Sequence, residues 1–170
     1  MADSADVWKG VKFADLDPEK FDTKDPRFHS YIIETRLCRF STAGCTKEMA
    51  PHFFEDALRF QFPFQDPYQP VIHNKIYHID LGKYSQDPII VTIDRTSLEA
   101  ENGTVIGHRF HPGWVVRKVV SRDDGIWIET TGRGIGGQKW FNYLTGEAGF
   151  RRLDINLHAY INNKLRLKLY

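Results

Sequence analysis

No run of apolar residues in this sequence approaches the roughly 18 that a helix needs to cross a bilayer. The first residues also lack the apolar stretch of a secretory leader. A soluble, cytoplasmic chain is the expectation. Cysteine is scarce: the only two, Cys38 and Cys45, are too few for a disulfide framework or a cysteine-rich zinc site, and two free thiols are expected. An excess of either charge is missing as well. With 23 basic against 22 acidic residues the formal net charge is +1, which gives no long-range field to gather nucleic acid or an anionic membrane, and nucleic acid is not an expected partner. There is no Gly-x-Ser-x-Gly elbow, and neither cysteine sits in a nucleophile signature, so nothing points to covalent catalysis.

What the chain has in plenty is aromatic residues, 14% of the total with twelve Phe, seven Tyr and four Trp. At 170 residues it has the size of one domain, and such a domain buries roughly two thirds of its unfolded surface. Residues 1–27 are charged and broken by Pro18 and Pro26, which reads as an extended arm tethered through Trp8, Val11 and Phe13. Residues 28–170 then form the domain. Alternation from Phe28 to Phe40 predicts a first strand wetted partly on each face. Thr46 is placed to cap a helix over Lys47 to Phe60, with Glu48 at its positive end and Phe53, Ala57 and Phe60 at helical spacing. Pro63 and Pro67 bar its continuation.

Beyond the prolines the pattern changes to short β-branched runs: Val71 to Leu81, Ile89 to Thr96, Thr104 to Phe110, Trp114 to Val120 and Ile126 to Thr131. The last two are joined through Asp124-Gly125, a hairpin signal that rests on glycine's tolerance of positive φ. The run Gly132-Arg133-Gly134-Ile135-Gly136-Gly137 lacks both the βαβ setting of a dinucleotide loop and the Gly-Lys-Ser/Thr of a phosphate loop, and reads as a flexible connection. A second helix follows over about Glu147 to Asn162, with Phe150, Leu153, Leu157 and Ile161 on one stripe and Thr145 as its cap.

An early strand, a helix ending at Pro63, several antiparallel strands and a long helix behind a hairpin make the segment Leu37 to Ile161 similar to the START and birch-pollen-allergen superfamily. The resemblance lies in the order of elements and not in a motif. It implies an α+β domain in which a curved, mostly antiparallel sheet grips the C-terminal helix and leaves a cavity between them. It further implies a hydrophobic small-molecule ligand of the lipid, polyketide or terpenoid class, since relatives carry lipids or hormones and some cyclise polyketides. No cofactor is implied.

The densest cluster of polar chemistry is Gly107-His108-Arg109-Phe110-His111-Pro112-Gly113-Trp114, continuing to Arg117. Three-residue spacing puts His108 and His111 on opposite faces of a regular strand, which argues against a shared metal; no compact third ligand exists among His29, His52, His73, His78 and His158, and no metal site is expected. As a general acid or base, either histidine needs a hydrogen-bonding partner, for which Asp94, Arg117, Glu129 and Thr130 are candidates. The plainer role is a histidine beside a turn bonding backbone carbonyls. Candidate catalytic residues are therefore His108, His111, Arg117 and Thr130, for cyclase- or isomerase-type chemistry if the domain is an enzyme, with Arg117 or Arg133 stabilising an enolate-like charge. Candidate ligand-binding residues are Phe53, Phe60, Tyr77, Trp114, Trp127, Arg133, Trp140 and Phe150. A well-filled core explains the aromatics equally well.

Two further readings stay open. The stretch from Asn102-Gly103-Thr104 to Thr131-Gly132-Arg133-Gly134 resembles C-terminal domains of bacterial secreted toxins, which implies a ribonuclease with His108, Arg117 and Thr130 converging in an open cleft. Alternatively, a sheet edge or aromatic surface serves as a protein-interaction module. A homodimer is compatible with all three.

Overall fold

Strand β1 (His29–Arg39) leads into a short 3-10 turn (Lys47–Met49) and helix α1 (Ala50–Ala57). Strands β2 (Lys75–Asp80), β3 (Gln86–Asp94), β4 (Glu99–Thr104), β5 (Gly113–Arg122) and β6 (Gly125–Gly134) follow, and helix α2 (Ala148–Arg166) closes the chain. This is a computed structural model, describing residues 24–63, 65–80, 86–108, 111–135 and 147–170. Most of the N-terminal arm, with Trp8, Val11 and Phe13, lies outside these residues, as do Arg109, Phe110, Gly136, Gly137, Trp140 and Thr145. None of the described helices is long and apolar enough to cross a membrane.

The six strands form one antiparallel sheet in the order β1-β6-β5-β4-β3-β2, so the first strand pairs with the last and the remaining strands fold back hairpin by hairpin. The sheet curves around α2, which is the α+β helix-grip architecture expected from the sequence. The α2 stripe Phe150, Leu153, Leu157, Ile161 and Leu165 is buried at helical spacing. It joins Ile33, Leu37, Val119, Ile126 and Ile128 of the sheet and Phe53, Phe54 and Ala57 of α1 in one core. We call the side of the sheet toward α2 its helix face and the other its outer face.

Several boundaries differ from the sequence reading. The first helix stops at Ala57, short of Phe60, and Thr46 makes no capping bond. Its exit tightens through Arg59 N–H to Asp56 and Phe60 N–H to Ala57, while the Gln65 side chain accepts from Gln61 N–H at 2.6 Å and donates to the Leu58 carbonyl at 2.8 Å. That side chain satisfies backbone groups that another helical turn would otherwise have paired. Of the run predicted from Thr104 to Phe110, only Thr104 lies in a strand among the described residues. The strand is Glu99–Thr104, after which the chain turns through His108 N–H to Val105 and His111 N–H to His108. Glu, Asn and Gly are poor strand formers, and pairing with β3 on one side and β5 on the other overrides their propensity. The glycine run is not wholly a connection either, because Gly132 to Gly134 belong to β6.

The hairpin stands where the sequence placed it, with Asp123 and Asp124 between the pair Arg122 and Gly125. Its glycine serves a different purpose from the one expected. Gly125 is not among the residues with positive φ; a Cβ there would stand 2.1 Å from the Cys38 carbonyl oxygen.

Cys38 and Cys45 form a disulfide, which corrects the expectation of free thiols. Thr42 N–H bonds the Arg39 carbonyl and Cys45 N–H bonds that of Thr42, and this turning brings the two Cα atoms to 6.1 Å, within reach of a bridge. The unreduced, unfolded protein is expected to show no thiol to a chromogenic thiol reagent. Cys38→Ala/Cys45→Ala should cost about 2 kcal/mol in urea denaturation, the loop being short. A full complement of reactive thiols would show that the bridge does not form.

Candidate functional site

The centre of the helix face is polar where its surroundings are apolar. Register aligns Ile33 of β1 with Thr130 of β6, Thr130 with Arg117 of β5, and Arg117 with Ala100 of β4, so these side chains share one row. Asp154 on α2 lies over that row. Arg117 Nη2 donates to Asp154 Oδ1 at 2.7 Å, and Thr35 Oγ1 donates to Asp154 Oδ2 at 3.3 Å. The pair is enclosed, Arg117 being 1% exposed and Asp154 0%. Burial pushes the Asp154 carboxyl above its ordinary value, against the lowering effect of Arg117 and Thr35.

Two aromatic rings border the pair. The Arg117 guanidinium lies over Phe150 at 5.6 Å, and the Phe150 ring is 6.4 Å from that of Tyr31. Tyr31 occupies the next row, opposite Gly132, where a Cβ would stand 2.3 Å from its ring; the missing side chain makes room for the phenol. Burial raises the Tyr31 pKa, so this hydroxyl stays neutral.

The site is incompletely bonded. Among the described residues, Arg117 Nε and Nη1 and Thr130 Oγ1 are buried and have no hydrogen-bond partner, and the same holds for Gln61 Oε1 and Asn102 Oδ1 nearby and for Trp114 Nε1 on the other face of β5. Gln61 is held against the row by its Nε2, which donates to the Ala100 carbonyl at 3.2 Å, while Asn102 Nδ2 donates to the Gln61 carbonyl at 2.7 Å. Native interiors leave few such groups, and each has a desolvation cost of about 1–3 kcal/mol.

The structure separates the residues that the sequence grouped. Arg117 and Thr130 are direct neighbours. The two histidines stand at the other end of β5. His111 Nδ1 lies 3.1 Å from the Thr104 carbonyl and 3.2 Å from its hydroxyl, and that hydroxyl bonds both N–H and C=O of Gly113, each at 2.9 Å. Gly113 is four residues from Arg117, about 13 Å along a strand. His111 thus fastens a turn, the plainer of the two roles, and buried His108 belongs to the same turn.

Strand alternation sends Trp114, Trp127 and Arg133 to the outer face, away from Arg117 and Thr130. Each is three residues from Arg117 or Thr130, an odd step. Arg133 is exposed and lies over Trp114 at 5.8 Å. Trp127 is flanked by Arg36 at 5.3 Å and Arg122 at 4.7 Å, and its indole donates to Asp124. Of the other aromatics, Phe150 borders the polar row, Phe53 and Phe60 fill the core beside Tyr170 and Tyr160, and Tyr77 packs on Phe62. Trp140 lies outside the described residues. Among the described residues, no group of three or more His, Cys, Asp or Glu side chains is arranged to hold a metal ion.

Asp154, Tyr31, Thr35, Gln61 and Asn102 escaped the sequence reading. Only Asp154 had a detectable signal: a carboxylate between Phe150 and Leu157 on an apolar stripe is rarely buried without a partner.

No protein-family model matches the chain, and no curated protein is similar to it in sequence. Its backbone is similar to the crystal structure of Ara h 8.0201, with a TM-score of 0.51 at 10% sequence identity over 80% of this chain and 99% of that one. At this identity the similarity establishes the helix-grip fold.

Proposed function

We propose that this domain binds a small, mostly apolar molecule of the lipid, polyketide or terpenoid class between the helix face of its sheet and α2. The observation that carries this reading is the set of buried, unpartnered groups on Arg117 and Thr130 within an apolar surround. A core shaped for packing alone gains nothing from donors without acceptors, whereas a ligand that brings the missing partners gains orientation and specificity from them. The helix-grip fold agrees, since it places a concave sheet face opposite a helix.

The ribonuclease reading has no such support. It needed His108, Arg117 and Thr130 in an open cleft, yet the three are 8%, 1% and 0% exposed, and the histidine belongs to the β4–β5 turn. Acid–base catalysis by His108 or His111 on a ligand at Arg117 finds no geometric support either, given their separation along β5.

Native mass spectrometry of the purified protein, followed by denaturing extraction, tests the reading. A co-purifying apolar molecule near one-to-one ratio, or saturable uptake of Nile red by the empty protein, is the expected result. A protein that is ligand-free and leaves Nile red unbound would overturn it.

A further inference from the structure

The charge and bonding of the Arg117 site select among apolar ligands, an inference that rests on the binding reading above. We infer that the bound molecule is neutral and presents a carbonyl oxygen, as in a ketone, lactone, amide or quinone, to one of the free N–H groups of Arg117 and to the hydroxyl of Thr130.

Three observations lead there. The first is the net charge. Arg117 and Asp154 neutralise each other at 2.7 Å with both side chains buried; of the other ionisable groups acting on the site among the described residues, Tyr31 is neutral, and Glu147 and Arg151 pair with each other at 2.6 Å. Alternation turns Glu101, Lys118 and Glu129 to the outer face, since each is an odd step from Arg117, Thr130 or Asn102. An anionic head group would therefore leave an uncompensated negative charge in an apolar interior, which is strongly unfavourable.

The second is the geometry of the guanidinium. Both edges that offer two parallel N–H donors include Nη2, and Asp154 already occupies Nη2. A carboxylate or phosphate gripping Arg117 in two-pronged fashion must share that nitrogen with Asp154, setting two anions side by side. Nε and Nη1 remain as separate donors, which suits single-atom acceptors.

The third is the neighbouring acceptors. Gln61 Oε1 and Asn102 Oδ1 are buried without donors, so their partial negative charge adds to the discrimination against an anion. They would accept equally well from a hydroxyl elsewhere on a neutral ligand. Thr130 Oγ1, beside Arg117 in the same row, supplies a further donor to the carbonyl.

The test uses three naphthalenes of one size and shape, substituted at the β position with acetyl, ethyl or carboxylate, titrated against the full chain by calorimetry. The ketone should bind about 10- to 100-fold tighter than the ethyl compound, as expected for a hydrogen bond to a charged donor, and the carboxylate should bind weakest. The infrared carbonyl stretch of bound acetylnaphthalene should move to lower wavenumber. Arg117→Met/Asp154→Leu, which removes the pair as a unit, should abolish both the preference and the shift. Thr130→Val, which alters one methyl-sized group, should reduce the preference in a chain that keeps the ion pair. Tightest binding by the carboxylate, or equal binding of ketone and ethyl compounds to the native protein, overturns the inference while leaving the binding reading intact. Failure of all three to bind overturns both.

Discussion

Arg117→Met should destabilise the folded protein by about 3–5 kcal/mol, because it leaves Asp154 enclosed between sheet and helix without its counter-ion. Asp154→Leu should cost a similar amount for the mirror reason. The double change Arg117→Met/Asp154→Leu removes both charges and fills the space with apolar atoms, and should recover most of the loss. Urea denaturation of the four proteins gives the coupling directly. Additive losses would mean that the two side chains do not act as a pair.

The same four proteins carry a pH signature. Burial raises the Asp154 carboxyl in the folded state above the ordinary 3.8, so the folded chain holds this proton more tightly than the unfolded chain does. The stability tied to that proton is fully present below pH 3.8 and is lost as pH rises through the raised folded value. The native protein should therefore gain relative to the double variant as pH falls from neutral into that window. A difference that moves the opposite way would mean that the ion pair, and not burial, dominates the carboxyl.

Gly125→Ala should destabilise by about 3 kcal/mol, at the upper end for overpacking, because the obstacle is backbone. The added Cβ would meet the Cys38 carbonyl oxygen at 2.1 Å, the Cys38 carbonyl carbon at 3.1 Å and Arg39 Cα at 3.2 Å. It would do so where β1 already shifts register between Arg36 and Cys38 and the disulfide restrains Cys38. Gly132→Ala is the informative contrast. Its Cβ meets the tip of the Tyr31 ring, which is able to swing aside, so stability should fall less while the ring leaves Phe150 and ligand binding changes. Equal stability of Gly125→Ala and the native chain, measured in urea, would show that the two strands are not in such close contact.

Much of the architecture was legible in the residues. The stripe Phe150, Leu153, Leu157 and Ile161 marked α2, alternation marked β1, and Asp-Gly between two β-branched runs marked the last hairpin, because helical and strand periods are local properties. The misread elements share a cause. Glu99–Thr104 is a strand although its residues disfavour one, the chain leaves α1 early where the Gln65 side chain bonds Gln61 N–H and the Leu58 carbonyl, and Cys38 meets Cys45 because the chain turns between them. None of these follows from a local preference.

The candidate site divides along the same line. Arg117 and Thr130 were visible as polar residues within β-branched runs, and period-two alternation fixes which neighbours on their own strands share their face. Which face turns toward α2, and so which aromatics enclose a ligand, is a matter of strand pairing and of where the helix lies. Trp114, Trp127 and Arg133 stand on the outer face for that reason, and Asp154 was missed because its partner is 37 residues away. By itself the sequence determined the elements and their order, since periodicity and turn chemistry act over a few residues. The buried pair, its unpartnered nitrogens and the choice of inner face were decided only by tertiary structure, because they depend on contacts between strands and a helix that no local pattern encodes.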